Sequence, residues 1–333
     1  MTRCPGCLRP DHDTFCAKCH KALFGPGRTR VPAVLPFTRP AYDKEKLAVT
    51  ADRLSISGIQ TKISLALVDS QLQMVNSGGR YILKPRPHGT FLRLEMAPVN
   101  EHLTMQIARQ VFGIPVADNA LVTFQDGEPA YLVRRFDVQA DGTKSLQEDF
   151  AQIAGRSPES HGANFKYDFS YEAIGDLIRQ HVATYRVDLE RFFTLVVFNY
   201  LVNNGDAHAK NFSLIRDDAT GQYHLTPAYD LLNTRLHLPD ETRTALELFK
   251  DEFETESYKA NAFYAYDDFA ELANRLGLVE KRSKRILETF IGNGDEVEAM
   301  IDASMLTDEC KVLYKAHVRD RIRALSHSMT KIR

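Results

Sequence analysis

The first half of the chain consists of short apolar runs separated by turn residues, a pattern that predicts β-strands. The runs that we interpret as strands are 63–68, 80–84, 119–124 and 130–134. A hairpin turn is predicted at 76–79, where the sequence reads Asn-Ser-Gly-Gly, and another at Asp126-Gly127. Together these runs predict a β-sheet in the first half of the protein.

One amphipathic helix interrupts these predicted strands. Val99, Leu103, Ile107 and Val111 recur at every fourth position, which places them on one face of a helix. Gly113 follows them and is typical of a residue that ends a helix. The first half therefore predicts a sheet with one helix.

The second half carries the apolar periodicity of helices. A helix is predicted to begin at an Asp188 cap, and an irregular stretch at 203–211 separates it from short strands at 212–216 and 223–226. From about 267 onward the pattern is helical. The breaks predicted in this helical part are near Gly277, Gly292–Gly294 and Ser304. A β-rich half followed by an α-rich half predicts an α+β protein of two lobes with a cleft between them.

The composition restricts the classes of function that fit the 333 residues. Hydrophobic residues make up 44% of the chain, which is too many for a disordered protein. The 42 basic and 44 acidic residues give a net charge of −2, which argues against direct nucleic-acid binding and against a polybasic membrane binder. No apolar run reaches the roughly 18 residues of a membrane span, and the first residues lack the apolar core of a signal peptide. We therefore expect a cytoplasmic protein without membrane contact.

Four of the five cysteines lie within the first 19 residues and indicate a metal site. They form two Cys-x-x-Cys pairs, which are Cys4, Cys7, Cys16 and Cys19. Four thiolates suit a tetrahedral Zn²⁺ ion and leave it no open position, so the ion would be structural. The alternative is a knuckle without metal, since the gap between the two pairs is shorter than in most zinc ribbons.

The chain is expected to divide into four segments. The predicted segments are a cysteine knuckle at 1–24, a linker at 25–53, an N-lobe at 54–137 and a helical C-lobe at 138–333. The prolines and glycines that follow residue 24 exclude a long helix there. The knuckle is therefore predicted to be an appendage of the main body.

The densest polar segment of the chain lies at 203–211. Asp206 and Asn211 are separated by four residues, as are the Asp and Asn of a protein-kinase catalytic loop. In such a loop the carboxylate accepts the proton of the attacking hydroxyl, and the amide oxygen binds Mg²⁺. Asp230 follows where a kinase places its second metal ligand. The alternative for each residue alone is a solvated turn, but three matches in order favour a phosphoryl-transfer site.

Basic residues upstream complete the predicted site. Lys84 ends an apolar strand, as does the kinase lysine that contacts the ATP phosphates. Glu101, early in the predicted helix, is the candidate ion-pair partner of Lys84, and Glu95 is the competing candidate. The segment 54–62 could form a phosphate-covering loop, with Lys62 as an extra phosphate contact, although it has one glycine and matches no glycine-rich motif.

With these residues the chain resembles the HipA-like Ser/Thr kinases, which are toxins of bacterial toxin–antitoxin modules. The matching blocks are LSISGIQTKISL at 54–65, YILKP at 81–85, NEHLTMQIARQVFGIPV at 100–116, LVRRFD at 132–137, LQEDFAQ at 146–152, KYDF at 166–169, NNGDAHAKNFSL at 203–214 and PAYDLL at 227–232. The resemblance implies a two-lobed protein-kinase-like fold and an enzyme that uses ATP and Mg²⁺. Because 53 residues precede the first block, the chain is most similar to the short HipT subfamily.

The resemblance also implies a role for each matching position. Asp206 would be the catalytic base, Lys210 a contact to the γ-phosphate, and Asn211 and Asp230 the Mg²⁺ ligands. Ser55 or Ser57 would be the autophosphorylation site. The residues expected to contact ATP are Lys84, Lys62, Ser57, Gly58, Glu101, His208 and, in a hinge that holds the adenine, Leu132, Val133, Arg134 and Phe136. Many relatives have an acidic residue at the position of Arg134. His208 is expected to brace the loop by hydrogen bonds.

The implied substrate is an aminoacyl-tRNA synthetase, whose phosphorylation would stop translation. The HipT-like length suggests tryptophanyl-tRNA synthetase, and the HipA resemblance glutamyl-tRNA synthetase. The implied partners are a HipB-like DNA-binding antitoxin and a HipS-like small protein that supplies the missing N-terminal subdomain.

Two other classes of function are compatible with parts of the sequence. Phosphoinositide kinases use an Asp-x-His-x-x-Asn loop, which 206–211 also matches, but the chain has no basic amphipathic membrane-binding feature. A zinc-bearing scaffold without catalysis is the second alternative. The intact set of Lys84, Asp206, Asn211 and Asp230 argues against it.

Overall fold

The computed structural model describes residues 2–27, 30–40, 60–139 and 141–330. The strands are β1 (Ile63–Val68), β2 (Gln71–Met74), β3 (Tyr81–Pro85), β4 (Asn119–Thr123), β5 (Pro129–Arg134), β6 (Gln147–Asp149), β7 (Ser213–Arg216) and β8 (Tyr223–Leu225). The helices are α1 (Ala17–Phe24), α2 (Ala97–Gln110), α3 (Phe150–Ile153), α4 (Pro158–His161), α5 (Tyr171–His181), α6 (Tyr185–Leu201), α7 (Glu256–Asn261), α8 (Tyr266–Arg275), α9 (Glu280–Gly292), α10 (Gly294–Ala303) and α11 (Asp308–Ser326). The architecture is mixed α/β, with the larger sheet in the first half and most helices in the second.

The larger sheet is antiparallel and has the strand order β2-β1-β3-β5-β4. The predicted strands of the first half are confirmed, but the first hairpin is not where the sequence indicated it. β1 turns into β2 at Asp69 and Ser70, both of which have positive φ angles. Such angles suit a two-residue hairpin turn, although neither residue is a glycine. The glycine-containing segment at 76–79 instead connects β2 to β3.

The two faces of this sheet are covered by different parts of the chain. Tyr131 and Val133 point to the core shared with α2 and the helical half. Ala130 and Leu132 point to the opposite face, where they pack with residues of the N-terminal segment. This alternation follows from the two-residue period of a strand.

The N-terminal segment forms the cover of that opposite face. Val31 and Leu35 are buried there. Leu35 N donates a hydrogen bond to Thr123 O at 2.8 Å, and Thr123 N donates to Ala33 O at 3.0 Å. Apolar burial and edge pairing therefore attach the first part of the predicted 25–53 linker to β4. Because the segment that follows the knuckle is part of the fold, the expectation that the knuckle is an appendage is wrong. The rest of that linker, 41–53, lies outside the described residues.

The helical half surrounds α6, whose side chains are largely buried. The predicted cap of this helix is wrong, because α6 begins at Tyr185 and Asp188 lies in its first turn. The Asp188 carboxylate accepts hydrogen bonds from Leu225 N at 3.2 Å and from Arg191 at 2.9 Å, and thereby ties α6 to β8. The predicted helices after 267 and their breaks agree with α8 to α11. Within the described ranges, every helix is too short or too polar to cross a membrane.

Candidate active site

A buried ion-pair network joins the sheet, α2 and a loop of the helical half. Lys84 near the end of β3 is 4% exposed, and its Nζ lies 2.6 Å from Glu101 Oε1 on α2. The same ammonium pairs with the carboxylate of Asp230. Lys62 Nζ, half exposed, lies 4.0 Å from Asp230 Oδ2. The structure therefore brings together four of the residues that the sequence proposed, and it selects Glu101 over Glu95 as the partner of Lys84.

The charges of this network stabilise one another. Burial by itself would lower the pKa of Lys84, but the nearby carboxylates of Asp230 and Glu101 outweigh it and raise the pKa. Burial by itself would raise the pKa of Asp230, yet Lys84 and Lys62 hold it well below its usual value. Burial raises the pKa of Glu101, and Lys84 offsets only part of that effect. Lys84 and Asp230 are therefore ionised at neutral pH.

Asp206 lies in the irregular loop that follows α6, as predicted. The Tyr167 hydroxyl donates a 2.6 Å hydrogen bond to its carboxylate. Asn204 connects this loop to that of Asp230: its Oδ1 accepts from Asp206 N at 3.3 Å, and its Nδ2 donates to Asp230 O at 3.4 Å. Asn203 and Asp230 both have left-handed backbone angles, which Asn and Asp tolerate and which are frequent at functional sites. The two loops are therefore held in a fixed mutual arrangement.

Asn211 closes the same loop. Its Nδ2 donates to Asp206 O at 3.0 Å, and its backbone N donates to His208 O at 2.9 Å. Because the amide nitrogen is used in this way, the amide oxygen is the side-chain atom left to bind a cation. An amide oxygen and the carboxylate of Asp230 are both ligands that suit Mg²⁺.

The two remaining predicted residues of the loop have different environments. His208 is 3% exposed, and its Nε2 lies 3.5 Å from Asp206 Oδ1, although neither ring nitrogen forms a hydrogen bond to a described residue. The hydrogen bonds of His208 within the loop are made by its backbone, whose N donates to Asp206 O at 2.8 Å. Its ring instead packs edge-on against Tyr167, with 5.1 Å between ring centroids. Burial lowers the pKa of His208 to about 4, so the ring is neutral at pH 7. Lys210 is partly exposed, and its Nζ lies 3.6 Å from Asp149 Oδ2.

Only part of the predicted adenine hinge lies beside the charged network. The backbone of Leu132 and Val133 is paired with β3 on one side and β4 on the other, and the Leu132 side chain faces the N-terminal cover. Arg134 Nη1 donates to Ala22 O at 2.7 Å, which directs this side chain toward α1. Phe136 lies beyond the strand and packs against Tyr229, the neighbour of Asp230, with 5.9 Å between ring centroids. Of these positions, Phe136 is the one next to the charged network.

Several residues of the site had no role in the sequence interpretation. Tyr167 lay in a matching block, but its contact to Asp206 required the fold. Thr234 and Glu241 form a second layer: Gly205 N donates to Thr234 Oγ1 at 2.8 Å, and that hydroxyl donates to Glu241. Burial raises the pKa of Glu241 to about 7. A Cβ atom at residue 205 would lie 2.3 Å from Glu241 Cδ, which explains the glycine of the loop.

Two buried side chains near the charged network carry polar atoms that a nucleotide could satisfy. The Tyr131 hydroxyl is buried without a hydrogen bond to any described residue, and its ring lies 5.5 Å from Lys84 Nζ. The orphaned nitrogens of His208 lie in the loop of Asp206. Unsatisfied buried polar atoms beside a carboxylate, an amide oxygen and a lysine fit a site for Mg²⁺ and phosphate. The predicted residues Ser55, Ser57 and Gly58 lie outside the described part of the chain.

The four clustered cysteines converge as predicted. All four sulfur atoms lie within 4.8 Å of one another, and Cys7 Sγ is 3.8 Å from Cys16 Sγ. A tetrahedral Zn²⁺ with Zn–S bonds of about 2.3 Å separates its sulfurs by about 3.8 Å, so the cluster has the size of such a site. The cysteines are free thiols rather than disulfides. Hydrogen bonds from the Cys19 and Cys7 thiols lower the pKa of Cys4, which favours thiolate formation within the cluster.

Several known proteins are similar to this chain in sequence. The sequence model of the HipA-like C-terminal domain matches residues 54–297. A Haemophilus influenzae protein named "Putative kinase" is 29% identical over 295 residues, which are 82% of this chain and 81% of that protein. The Ser/Thr-protein kinase toxin HipA of Shewanella oneidensis is 27% identical over 249 residues, which are 68% of this chain and 52% of HipA. The chain therefore spans about half the length of that toxin.

A solved structure shares the fold. Shewanella oneidensis HipA, in its complex with HipB and operator DNA, superposes with a TM-score of 0.60 and 22% sequence identity. The superposition covers 89% of this chain and 72% of the HipA chain. The mixed α/β architecture described above is thus similar to that of HipA.

Proposed function

The chain belongs to the family of proteins with a HipA-like C-terminal domain, and on this premise we propose that it is an ATP-dependent Ser/Thr protein kinase of the toxin–antitoxin type. One observation supports the proposal most strongly. Lys84, Glu101 and Asp230 meet from three separate elements, and Asn204 links their network to the loop of Asp206. A lysine–glutamate pair beside a metal-binding aspartate and a catalytic aspartate is the arrangement that phosphoryl transfer requires in protein kinases.

The proposed mechanism assigns each polar group one task. Asp206 accepts the proton of the attacking hydroxyl, while the Tyr167 hydroxyl holds its carboxylate in place. Lys84, held by Glu101, would orient the phosphates, and Lys210, which lies in the same loop as Asp206, would contact the γ-phosphate. Asn211 and Asp230 would hold Mg²⁺. When bound, Mg²⁺ supplies the neutralisation of charge on the β- and γ-phosphates.

We further propose that Ser55 or Ser57 is autophosphorylated. A phosphoserine adds about −1.5 to −2 charges. Close to the phosphates of ATP it would repel them, or it would attract Lys62 and Lys84. Autophosphorylation would therefore weaken ATP binding and limit the toxin.

The substrate class and partners follow from the resemblance to HipA and to the HipT subfamily. We propose an aminoacyl-tRNA synthetase as substrate, with tryptophanyl-tRNA synthetase as the first candidate and glutamyl-tRNA synthetase as the second. A HipB-like DNA-binding protein and a HipS-like small protein are the proposed partners. One structural Zn²⁺, held by the four N-terminal cysteines, is the proposed metal outside the active site.

Mass spectrometry of candidate synthetases after incubation with the full chain and Mg-ATP tests this function. We expect a phosphorylated Ser or Thr on a synthetase and a loss of more than about 100-fold with Asp206→Asn, because a general base contributes at least this much. Asp240→Asn is the matched control, since Asp240 is exposed and outside the site. A fully active Asp206→Asn variant would refute the assignment of the base. Phosphorylation of lipid vesicles but of no synthetase would favour a lipid kinase instead.

A further inference from the structure

The loop between the first two cysteines docks on the body of the protein through three consecutive backbone carbonyls. Pro5 O accepts from Leu121 N in β4 at 2.9 Å. Gly6 O lies 3.3 Å from His102 Nε2, and Cys7 O accepts from Gln110 Nε2 at 3.0 Å. Both of these donors belong to α2. Leu8, which directly follows Cys7, is buried in the main core together with apolar residues of α2.

The shape of this docking loop depends on the cysteine cluster. Cys4 and Cys7 bracket the loop, and Cys16 N donates to Cys4 Sγ at 3.2 Å. A Cβ atom at Gly6 would lie 2.6 Å from Cys19 Cβ, so the loop is pressed directly against the second pair of cysteines. Four thiols at tetrahedral separations hold such a loop only weakly by themselves, whereas a bound metal ion fixes it.

The helix that receives these contacts is also the helix of the ion-pair network. His102, which contacts Gly6, directly follows Glu101, which pairs with Lys84 at 2.6 Å. His102 and Gln110 are eight residues apart, so the knuckle contacts α2 over about two turns of one face. The position of α2 relative to β3 is therefore set from two sides, by the knuckle and by Lys84.

We infer that metal binding by the cysteine knuckle buttresses α2 and thereby keeps Glu101 in place against Lys84. Cys19, the last of the four cysteines, precedes Glu101 by more than 80 residues in the sequence. The metal therefore acts on Glu101 only through the packing of the knuckle against α2. In protein kinases the position of the corresponding helix controls activity. The inference that catalysis depends on the metal rests on the proposed kinase function, but the buttressing of α2 does not.

The buttress is tested first without any assay of catalysis. The full chain is purified with Zn²⁺ and its metal content is measured, after which the metal is removed with a zinc-selective chelator and restored. Hydrogen–deuterium exchange is followed in α2 and, as an internal control, in α6. We expect one Zn²⁺ per chain, about 10-fold faster exchange in α2 without metal, and unchanged exchange in α6.

Variants separate the metal from the loss of a thiol. The double substitution Cys4→Ser and Cys7→Ser should abolish Zn²⁺ binding, together with the visible bands of Co²⁺ bound as a probe, and should reproduce the faster exchange in α2. Cys310→Ala is the matched control, since Cys310 is buried in α11 and outside the cluster. If the double variant does not fold, the stripped and reloaded wild-type chain carries the test. The inference would be overturned if the chain binds no zinc, or if hydrogen–deuterium exchange in α2 is the same with and without the metal.

Kinase activity is measured in the same samples with Mg²⁺ in excess. We expect metal removal to lower phosphoryl transfer by about 10- to 100-fold, because a displacement of the order of 1 Å of a catalytic group has this effect, and Zn²⁺ to restore it. Full activity of the metal-free chain would overturn the coupling to catalysis. If the zinc-loaded chain phosphorylates nothing, the proposed function fails, whereas the exchange experiment still decides whether the knuckle buttresses α2.

Discussion

Replacement of Lys84 by Met removes the ammonium that the two buried carboxylates share. Met has a similar length and is apolar, so the substitution changes charge more than volume. The Lys84 side chain is 4% exposed, and its partners Glu101 and Asp230 are 2% and 14% exposed. The variant therefore leaves two neighbouring carboxylates with little water: Glu101 loses its cation, and Asp230 keeps Lys62, whose half-exposed Nζ lies 4.0 Å away.

The magnitude follows from this burial. Removal of one partner from a buried ion pair costs about 3–5 kcal/mol of stability. Both carboxylates lose Lys84 here, but Asp230 keeps Lys62, and one of the two carboxylates can take up a proton and relieve their repulsion. We therefore expect the free energy of unfolding to fall by about 3–5 kcal/mol near pH 8.

The pH dependence has a definite sign. In the wild type, the raised pKa of Lys84 and the lowered pKa of Asp230 place the titrations of both groups outside the range of about pH 5 to pH 8, so their contribution to stability is constant there. In the variant, burial and repulsion raise the carboxyl pKa values of the folded state. At these carboxyls the folded variant then binds more protons than the unfolded chain, so the variant gains stability relative to the wild type as the pH falls. The deficit should therefore shrink toward about pH 5.

Urea denaturation followed by circular dichroism at both pH values measures this effect. Lys210→Met is the matched control: Lys210 is 43% exposed and pairs with Asp149 at 3.6 Å, so its loss should change stability by less than about 0.5 kcal/mol. A Lys84→Met variant within about 1 kcal/mol of the wild type at both pH values, or a deficit that grows on acidification, would refute the reasoning.

Three further predictions concern the second layer of the site. Tyr167→Phe should lower kcat by about 10-fold with little change in the KM for ATP, because it removes the 2.6 Å hydrogen bond that holds Asp206; steady-state kinetics measures this. The wild type should gain stability relative to Glu241→Gln as the pH falls from about 8 to 5 in urea titrations, since the raised pKa of Glu241 makes the folded state bind a proton that the unfolded chain releases. Buried histidines such as His208, whose pKa is lowered to about 4, act in the opposite direction in both proteins and cancel in this difference. Gly205→Ala should destabilise the fold by about 1–3 kcal/mol in the same assay, because its Cβ would lie 2.3 Å from Glu241 Cδ.

Each of these has a control or an opposing outcome. Gly292→Ala adds a Cβ with no heavy atom within 4 Å at the end of α9, and should leave stability nearly unchanged. Equal effects of the two glycine substitutions would contradict the steric argument. A stability difference between the wild type and Glu241→Gln that does not change with pH would exclude a raised pKa of this carboxyl. A fall in stability without any fall in kcat would assign Tyr167 a structural role only.

Local patterns predicted four of the five strands of the larger sheet, all but β2, and the helices after residue 267, because strand and helix periodicities depend on neighbouring residues. The turn at Asp69 and Ser70 was not predicted, since its positive φ angles occur at residues other than glycine. The predicted Asp188 cap failed because the carboxylate is used by Leu225 N, which is 37 residues away in the chain. The attachment of 31–37 to β4 was missed for the same reason, as it depends on a distant strand edge.

The sequence by itself determined the chemistry that is local: the spacing of Asp206 and Asn211 in one loop, and the two Cys-x-x-Cys pairs. Only the tertiary structure decided that Glu101 rather than Glu95 pairs with Lys84, that Tyr167 holds Asp206, and that the knuckle docks on α2. The physical reason is the range of the interactions. Spacing along a short loop limits which side chains can converge, whereas contacts between distant segments depend on how apolar faces pack.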